Sequence, residues 1–503
     1  MTIDGLLNKM TMYRFLVYGL VSLIVIAMIM ALTGIVHFSA IGILVSTAVL
    51  IVVCYVSNRL IAILANAQAN TESWLITALI LALILPPAST VLGAGLVALG
   101  GLIAMVSKYV LVLNHRHVFN PAAFAAVVLS ISGILPTLWW IGSPPLIIPT
   151  AIFGALVLRK LHRFGLFGAF FGAAVALTAI LALVTQSQPI MAALMGLIIS
   201  GPLLFLGTIM LTEPATLPNG RRAKLVFGVV VGLIFCSQLH VGPVAATPEL
   251  ALIIGNLFAL VVSYKYGTRQ VQLLEKKEIG THLYEFTFSG GENFYFLPGQ
   301  YGEWTMPRHG FDSRGDRRSL SISSEPGAKE LRFATKILDG GSVFKTHLSN
   351  MKKGDVITVG HGNGDFVMPQ ALDQKLVYVA GGIGITPFVS MVRSMIASKN
   401  VRDIVIFYLV TTEAEYAYKD VWAQAEQYGV KVIPVITGQP VAASWHGLSG
   451  PLTSEVIKHY VPDYSDRHFY LSGPNGLVRA YRNMLKGLSV APGAIRSDYF
   501  SGY

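Results

Sequence analysis

The chain has 503 residues, more than one domain's worth, and 53% of them are hydrophobic against 13% charged. Its formal charge of +11 is a poor sign of nucleic-acid binding: residues 1–270 hold 13 Lys/Arg and 4 acids, and those basic residues sit in short loops between apolar runs. Cys54 and Cys236 are the only cysteines, too few for an iron–sulfur cluster, which takes about four, and they imply no disulfide framework.

No cleavable leader is expected at the N-terminus, because the first apolar run is too long and no small-residue cleavage site follows it. Ten apolar segments follow, near 13–33, 38–57, 73–86, 90–107, 119–135, 145–159, 165–185, 189–211, 223–240 and 249–266. A spanning helix takes roughly 20 apolar residues, so the third and sixth are short; Pro86-Pro87 and Pro144-Pro145 punctuate the series. Loop charge tests the count. With the N-terminus inside, alternate loops put all 13 basic residues on one side: Lys9 and Arg14; Arg59; Lys108 and Arg116; Arg159, Lys160 and Arg163; Arg221, Arg222 and Lys224; Lys265 and Arg269. This predicts a ten-helix transmembrane bundle over 1–266, set in lipid with both ends cytoplasmic.

The histidines of this half, His37, His115, His117, His162 and His240, fall at predicted helix ends or in loops. A transmembrane haem would need facing pairs inside the helices, so haem and metal sites are not expected. Two inside segments carry polar groups and a proline at a helix end: Asn114-His115-Arg116-His117-Val118-Phe119-Asn120-Pro121-Ala122-Ala123-Phe124, and residues 207–221 around Thr212-Glu213-Pro214-Ala215-Thr216. They read either as ordinary capped ends or as broken helix ends lining a cavity, where helix N-termini suit anions such as phosphate. The Asn120-Pro121-Ala122-Ala123-Phe124 and Thr212-Glu213-Pro214-Ala215-Thr216 segments resemble signature loops of the B subunit of sodium-translocating NADH:quinone oxidoreductase and the D subunit of Rnf complexes. The resemblance implies a flavin, FMN or riboflavin, in the membrane half near Asn120, Thr212 and Thr216. The family's Ser/Asp-Gly-Ala-Thr-type attachment motif is missing here, so a non-covalent flavin or a quinone pocket is expected in its place.

Past Tyr266 the pattern changes. Residues 282–288, 296–301 and 356–359 read as short strands with Gly/Pro turns, predicting a small antiparallel β-barrel over 267–370. From about 371 to 503, strand candidates at 376–380, 404–409 and 468–471 alternate with helices such as 387–398 and 415–428, predicting a parallel α/β domain.

Four motifs follow in order. Arg317-Arg318-Ser319-Leu320-Ser321-Ile322-Ser323-Ser324 puts a cation and hydroxyls at a strand end. Gly340-Gly341-Ser342-Val343-Phe344 opens a helix whose N-terminus suits a pyrophosphate. Ala380-Gly381-Gly382-Ile383-Gly384-Ile385-Thr386-Pro387 joins a strand to a helix through glycines that admit a phosphate. Ser472-Gly473-Pro474 ends a strand before a helix at 475–487, where ligands bind in open α/β sheets.

Together, residues 268–503 resemble the ferredoxin–NADP reductase superfamily. Arg318 and Ser321 match its Arg-x-Tyr-Ser flavin motif; Gly341 and Ser342 its pyrophosphate turn; Gly382, Gly384, Thr386 and Pro387 its Gly-x-Gly-x-x-Pro nicotinamide motif; Ser472-Gly473-Pro474 its Cys-Gly-Pro. The resemblance implies FAD, NAD(P)H as donor, a catalytic neighbourhood of Ser321, Thr386 and Ser472, and a C-terminal tail in which Phe500 or Tyr503 covers the flavin. The remaining cofactor contacts would come from Ser319, Gly340 and Val343 at the flavin and from Pro474 at the nicotinamide. Leu320 stands where the family has Tyr, a loss that Tyr301 would offset, and Ser472 replaces Cys. The acids of Thr411-Thr412-Glu413-Ala414-Glu415 favour NADH over NADPH, since a 2′-phosphate wants Arg nearby.

The expected function is transfer of electrons from cytoplasmic NADH through FAD to a membrane flavin, a quinone or an extracytoplasmic flavoprotein, in a bacterial cytoplasmic membrane. The alternatives are a redox-driven Na⁺/H⁺ transporter subunit and a haem-based transmembrane reductase.

Overall fold

The computed structural model describes all residues except 1–11, 65–72, 114–115, 187, 200–201, 219, 238–239, 242–243, 264–267, 293, 307–316, 339, 439–444, 446 and 501–503. The chain forms two compact units, Met1–Lys265 and Tyr266–Tyr503.

The first unit is helical. Its helices are α1 (Met12–Leu32), α2 (Ala40–Leu64), α3 (Ser73–Ile84), α4 (Val91–Val110), α5 (Pro121–Ile131), α6 (Ile147–Leu161), α7 (Phe164–Thr185), α8 (Ile190–Ile199, bent into Leu203–Met210), α9 (Arg221–Cys236) and α10 (Pro248–Ser263). Every apolar segment read from the sequence is helical over most of its length, though not all ten have the length of a span. Among the described residues, five helices are long and apolar enough to cross a membrane, or six counting the bent pair. The third and fifth are half-length: α3 has 12 residues and α5 has 11, at 1.5 Å each about 18 Å or less against the ≈ 30 Å of a bilayer core. Pro86-Pro87 ends α3 by removing two backbone donors. Asn120 begins α5, its side chain accepting from Ala123 N at 3.0 Å with Pro121 in the first turn. The sixth segment, short in the sequence reading, joins a 3₁₀ turn at Pro144–Leu146 to α6 and meets the length criterion.

These helices form an internal repeat, α1–α5 and α6–α10. One and the same residue spacing separates Pro87 from Pro214, Ala88 from Ala215, Gly93 from Gly220, Gly101 from Gly228 and Pro121 from Pro248. The local structure repeats with it. A two-residue antiparallel hairpin precedes α5 (β1, Val112–Leu113; β2, Arg116–His117), and another precedes α10 (β3, His240–Val241; β4, Val244–Ala245). The equivalent helix pairs also pack closely: a Cβ on Gly101 of α4 would meet Cys54 Sγ of α2 at 3.2 Å, and one on Gly228 of α9 would meet Leu166 O of α7 at 2.8 Å. The repeats are inverted, because their equivalent helices α5 and α10 lie antiparallel. Asn120 N, at the start of α5, donates to Asn256 Oδ1 in the middle of α10 (2.9 Å), and Ser130, at the end of α5, reaches Glu249 at the start of α10 (3.4 Å).

The second unit contains two six-stranded sheets. The first is antiparallel, in the order β8-β7-β10-β5-β6-β9, from β5 (Arg269–Gly280), β6 (Leu283–Phe288), β7 (Tyr301–Thr305), β8 (Arg317–Ser321), β9 (Leu331–Lys336) and β10 (Val356–Val359). Its edge strands meet through an Ile322–Phe333 bridge. Phe286, Phe288, Phe333 and Trp304 fill its core, the last two rings 4.4 Å apart. One expected strand is instead a loop: 296–300 turns at Pro298-Gly299, where Gly299 takes φ +96, and pairing begins only at Tyr301. Helix α11 (Val343–Asn350) follows β9.

The second sheet is parallel, in the order β14-β13-β12-β11-β15-β16, from β11 (Leu376–Gly381), β12 (Ile404–Val410), β13 (Val430–Ile436), β14 (Leu448–Ser449), β15 (His468–Pro474) and β16 (Ile495–Phe500). Helices α12 (Thr386–Ser398), α13 (Lys419–Ala425), α14 (Ser454–Tyr460) and α15 (Asn475–Gly487) connect the strands. Strands β11 and β12 are buried along their whole length, as unbroken apolar runs in a covered parallel sheet should be.

Candidate functional site

The glycines at the carboxyl ends of β11 and β15 interlock. A Cβ on Gly384 would lie 2.5 Å from Ser472 O, and one on Gly381 2.5 Å from Leu477 Cδ1. Gly382 takes φ +53 and Gly473 φ +148, where a side chain would be strained. The turn after β11 therefore presses directly on the end of β15, at the sheet edge where open α/β folds bind ligands. Ser472 is fully buried, and its Oγ has no hydrogen-bond partner among the described residues; such an orphan fits a polar group brought by a ligand. Thr386 is also buried, but its Oγ1 donates to Ile383 O at 3.0 Å, which locks the turn. Pro387 sits in the first turn of α12, and Pro474 pairs in register with Phe500. Tyr503 and the side chain of Phe500 fall outside the described residues.

The second cluster is built on β7, β8 and α11. Tyr301 stands opposite Ser321, and Trp304 opposite Arg318. Ser321 is buried, Leu320 and Arg318 are half-buried, and Ser319 is exposed. The Arg318 guanidinium lies 5.3 Å from the ring centre of Phe344, in the first turn of α11. The structure thus brings the Arg318 strand and the Gly340–Phe344 turn together. In that turn Gly340 takes φ +73, and Ser342 caps α11 by accepting from Lys345 N at 3.4 Å, next to Val343. A cation beside a helix N-terminus and a glycine turn suits a diphosphate.

Residues outside the motifs, together with Ser323 from the first of them, join these clusters. A Cβ on Gly299, in the turn before β7, would lie 2.4 Å from Met391 of α12. Glu285 of β6, Ser323 beyond β8, Arg393 of α12 and Tyr418 before α13 meet in one buried group. Burial, and after it the Glu285 carboxylate, push the Tyr418 phenol well above its ordinary value, so it stays a donor. Glu415, one of the acids read as favouring NADH, pairs with Lys336 of β9 at 2.6 Å and accepts from Thr411 N at 3.1 Å. Burial opposes its ionisation, yet the Lys336 bond and the Thr411 N–H hold its carboxyl below the ordinary value. Glu413 stays exposed. No local pattern marks these partners in the sequence; Lys336 and Glu415, for example, are 79 residues apart.

In the first unit, Asn120 and the 212–216 turn come together: Asn120 Nδ2 donates to Glu213 Oε2 at 2.7 Å. Thr212 is buried and donates to Thr208 O, and Thr216 is buried beside them. Asn256 adds a buried Nδ2 with no partner among the described residues, and Lys108 is buried with its Nζ 2.6 Å from Ser73 Oγ.

Residues 378–483 match the family described as the oxidoreductase NAD-binding domain. The chain is 25% identical over 236 residues to a flavohaemoprotein of Pseudomonas putida, covering 46% of this chain and 59% of that protein. It is 37% identical over 107 residues to a flavohaemoprotein of Candida albicans, covering 21% of this chain and 26% of the relative. Among solved structures, the flavohaem-like FAD/NAD-binding domain of nitric oxide dioxygenase from Vibrio cholerae aligns with a TM-score of 0.41 at 23% identity, over 46% of this chain and 98% of that one. The chain therefore spans less than two thirds of the Pseudomonas relative's length. The C-terminal half thus sets a parallel sheet matched by the oxidoreductase NAD-binding domain family beside an antiparallel sheet, and is similar to flavohaemoproteins over 46% of this chain.

Proposed function

We propose that the chain is a membrane-bound NAD(P)H-dependent FAD oxidoreductase. It would pass electrons from cytoplasmic NADH into or across the membrane. The observation that carries this reading is the interlock of Gly381, Gly384 and Gly473 at the end of β15, beside Ser472, whose buried hydroxyl has no partner among the described residues, in one compact unit with the Arg318–Phe344 cluster.

In this reading residues 1–266 are the membrane domain, 267–370 a flavin-binding β-barrel and 371–503 the nicotinamide domain. Arg318 offsets diphosphate charge, and the α11 N-terminus with Gly340, Gly341, Ser342 and Val343 cradles it through backbone N–H groups. Ser321 and Ser319 offer hydroxyls to the ring system, and Tyr301 supplies the aromatic face that Leu320 lacks. Gly382, Gly384 and Pro387 shape the nicotinamide groove, Thr386 holds its turn, and Ser472, Gly473 and Pro474 form its floor. Phe500 or Tyr503 would cover the flavin from the C-terminal tail. A bound flavin supplies the conversion from two-electron to one-electron transfer that such a junction requires.

The polar cluster of Asn120, Thr212 and Thr216 is the proposed place of a second, non-covalent flavin (FMN or riboflavin) or of a quinone, in the cytoplasmic membrane of a bacterium. The acceptor beyond it would be a quinone or an extracytoplasmic flavoprotein. The test is a cofactor inventory of the detergent-purified protein, with anaerobic reduction by NADH and NADPH. FAD that NADH bleaches supports the reading, whereas a flavin-free protein or a Soret band sinks it.

A second reading, redox-driven Na⁺/H⁺ transport, is favoured by the inverted repeat, a plan that many transporters share, and by the wholly buried Glu249. NADH-driven ion uptake in proteoliposomes supports it; turnover that builds no potential and ignores Na⁺ removes it.

A further inference from the structure

Glu285 is a buried carboxylate on the antiparallel sheet, and most of its partners come from the parallel half. Its Oε1 accepts from Arg393 Nη1 at 3.0 Å, from Tyr418 OH at 3.1 Å and from Ser323 Oγ at 2.8 Å; Oε2 faces Arg393 Nη2 at 3.4 Å. Arg393 Nη1 also reaches Ser323 O at 2.9 Å, and its guanidinium lies 5.4 Å from the Tyr418 ring centre. One turn earlier on α12, Ser390 Oγ donates to Ser324 O at 2.7 Å. Residues three apart share a helix face, so α12 grips two successive carbonyls just past the end of β8.

The two ends of this grip matter. Ser323 follows Ser321 by two residues, on the chain that carries Arg318. Arg393 lies six residues past Pro387, on the helix that the Gly381–Pro387 turn opens. A cation and carboxylate removed from water are costly unless their geometry is good and their remaining groups are satisfied. Here each is multiply hydrogen-bonded, and a shift of α12 along β8 would break the carboxylate fork and both serine contacts at once. An apolar contact would slide more easily, because it has no preferred direction.

We propose that Glu285, Arg393 and Tyr418 are positioning residues that fix the spacing between the 317–324 strand end and the turn opening α12, and with it the approach of the nicotinamide to the flavin. The proposal rests on the reductase reading above. It assigns these residues no contact with either cofactor, so their substitution should act on the transfer step more than on binding.

The experiment is anaerobic stopped-flow reduction of the bound flavin in the full-length, detergent-purified protein. The variants are Arg393→Lys, which keeps the charge and loses the fork; Glu285→Gln, which keeps the shape and loses the charge; and Tyr418→Phe, which removes one neutral donor. The expected result is a limiting reduction rate lowered by about ten- to a hundredfold in Arg393→Lys, the scale of an ångström's misplacement. Glu285→Gln should fall likewise and Tyr418→Phe by less. The NADH concentration at half-saturation and the FAD-to-protein ratio should stay within about twofold, and the isotope effect with deuterated nicotinamide should rise as the transfer step becomes limiting. Unchanged limiting rates and isotope effects in variants that retain FAD would overturn the proposal, leaving only a domain-joining role. If a charge variant loses FAD, Tyr418→Phe decides: with FAD retained and an unaltered rate, or with FAD and rate lost in parallel, the proposal fails. A wild-type flavin that neither nicotinamide reduces sinks the reductase reading itself, an outcome distinct from variants that match an active wild type.

Discussion

Gly384 and Ser472 are in backbone contact: a Cβ on Gly384 would sit 2.5 Å from the carbonyl oxygen of Ser472 and 2.7 Å from Gly473 Cα. Both obstacles are main chain, so neither can rotate away. Gly384→Ala must push the turn off the end of β15 and open the groove. Nicotinamide binding should weaken by about tenfold or more, the equivalent of about 1.4 kcal/mol, while FAD content is kept because Arg318 and α11 lie on the other sheet. Titration of NADH-dependent flavin reduction checks this; a half-saturation value equal to wild type would mean that the turn does not form the groove.

Arg318 lies against the first turn of α11, its guanidinium 5.3 Å from the ring centre of Phe344. Arg318→Ala removes the charge proposed to face the diphosphate, together with that contact. Charged hydrogen bonds contribute about 1.5–3 kcal/mol, so FAD affinity should fall by roughly one to two orders of magnitude and the protein should lose flavin on gel filtration. Full FAD occupancy after the same purification would place the flavin elsewhere.

Cofactor choice should depend on Glu413 more than on Glu415. Glu415 is committed to Lys336 and to Thr411 N, whereas Glu413 is exposed at the carboxyl end of β12. Glu413→Arg should raise the ratio of NADPH to NADH efficiency by on the order of tenfold, since a cation there accommodates the 2′-phosphate. Glu415→Gln should mainly loosen the contact with β9. Equal shifts from both substitutions would show that Glu415 also faces the ribose.

The sequence makes the apolar helices and the strand–glycine–helix junctions legible because each is local. An apolar run, or a strand with its φ-permissive glycines and the helix they open, is read within a few dozen residues, and charge asymmetry loop by loop. The half-length of α5 is legible only in Gly133, which takes φ +69 just past Ile131, where the helix stops, while apolar Ile134 and Leu135 follow and extend the apparent segment. Apolarity states what can be buried, not whether a segment crosses a bilayer. The loop at 296–300 was legible in Pro298-Gly299, which outweighs the flanking aromatics that suggested a strand. The inverted repeat rests on a few residues at one spacing and becomes plain only once the hairpins before α5 and α10 stand beside it. The Glu285–Arg393 junction links residues 108 positions apart; each is an ordinary charge in an ordinary strand or helix, and only the tertiary fold pairs them.

Arg467 ties the opposite end of the parallel sheet, away from the proposed groove. It donates to Asp403 through Nη1 at 2.7 Å and Nη2 at 2.6 Å, and to Asp463 through Nε at 2.8 Å, while Lys375 Nζ adds a bond to Asp463 at 2.8 Å. The Arg467 hydrogen bond, against the opposing effect of burial and with help from Lys375, pulls the Asp463 carboxyl down to about 2 from an ordinary 3.8. A carboxyl whose folded pKa is depressed binds fewer protons folded than unfolded, so its contribution is complete above about pH 4 and is lost as pH falls towards 2. Acid should therefore loosen the amino-terminal ends of β11, β12 and β15 through this window. Asp463→Asn should lower stability at neutral pH and flatten the fall between pH 4 and 2, read as the thermal midpoint of the detergent-purified protein against pH. A variant whose midpoint falls as steeply as wild type across that window would assign the acid sensitivity to another carboxylate.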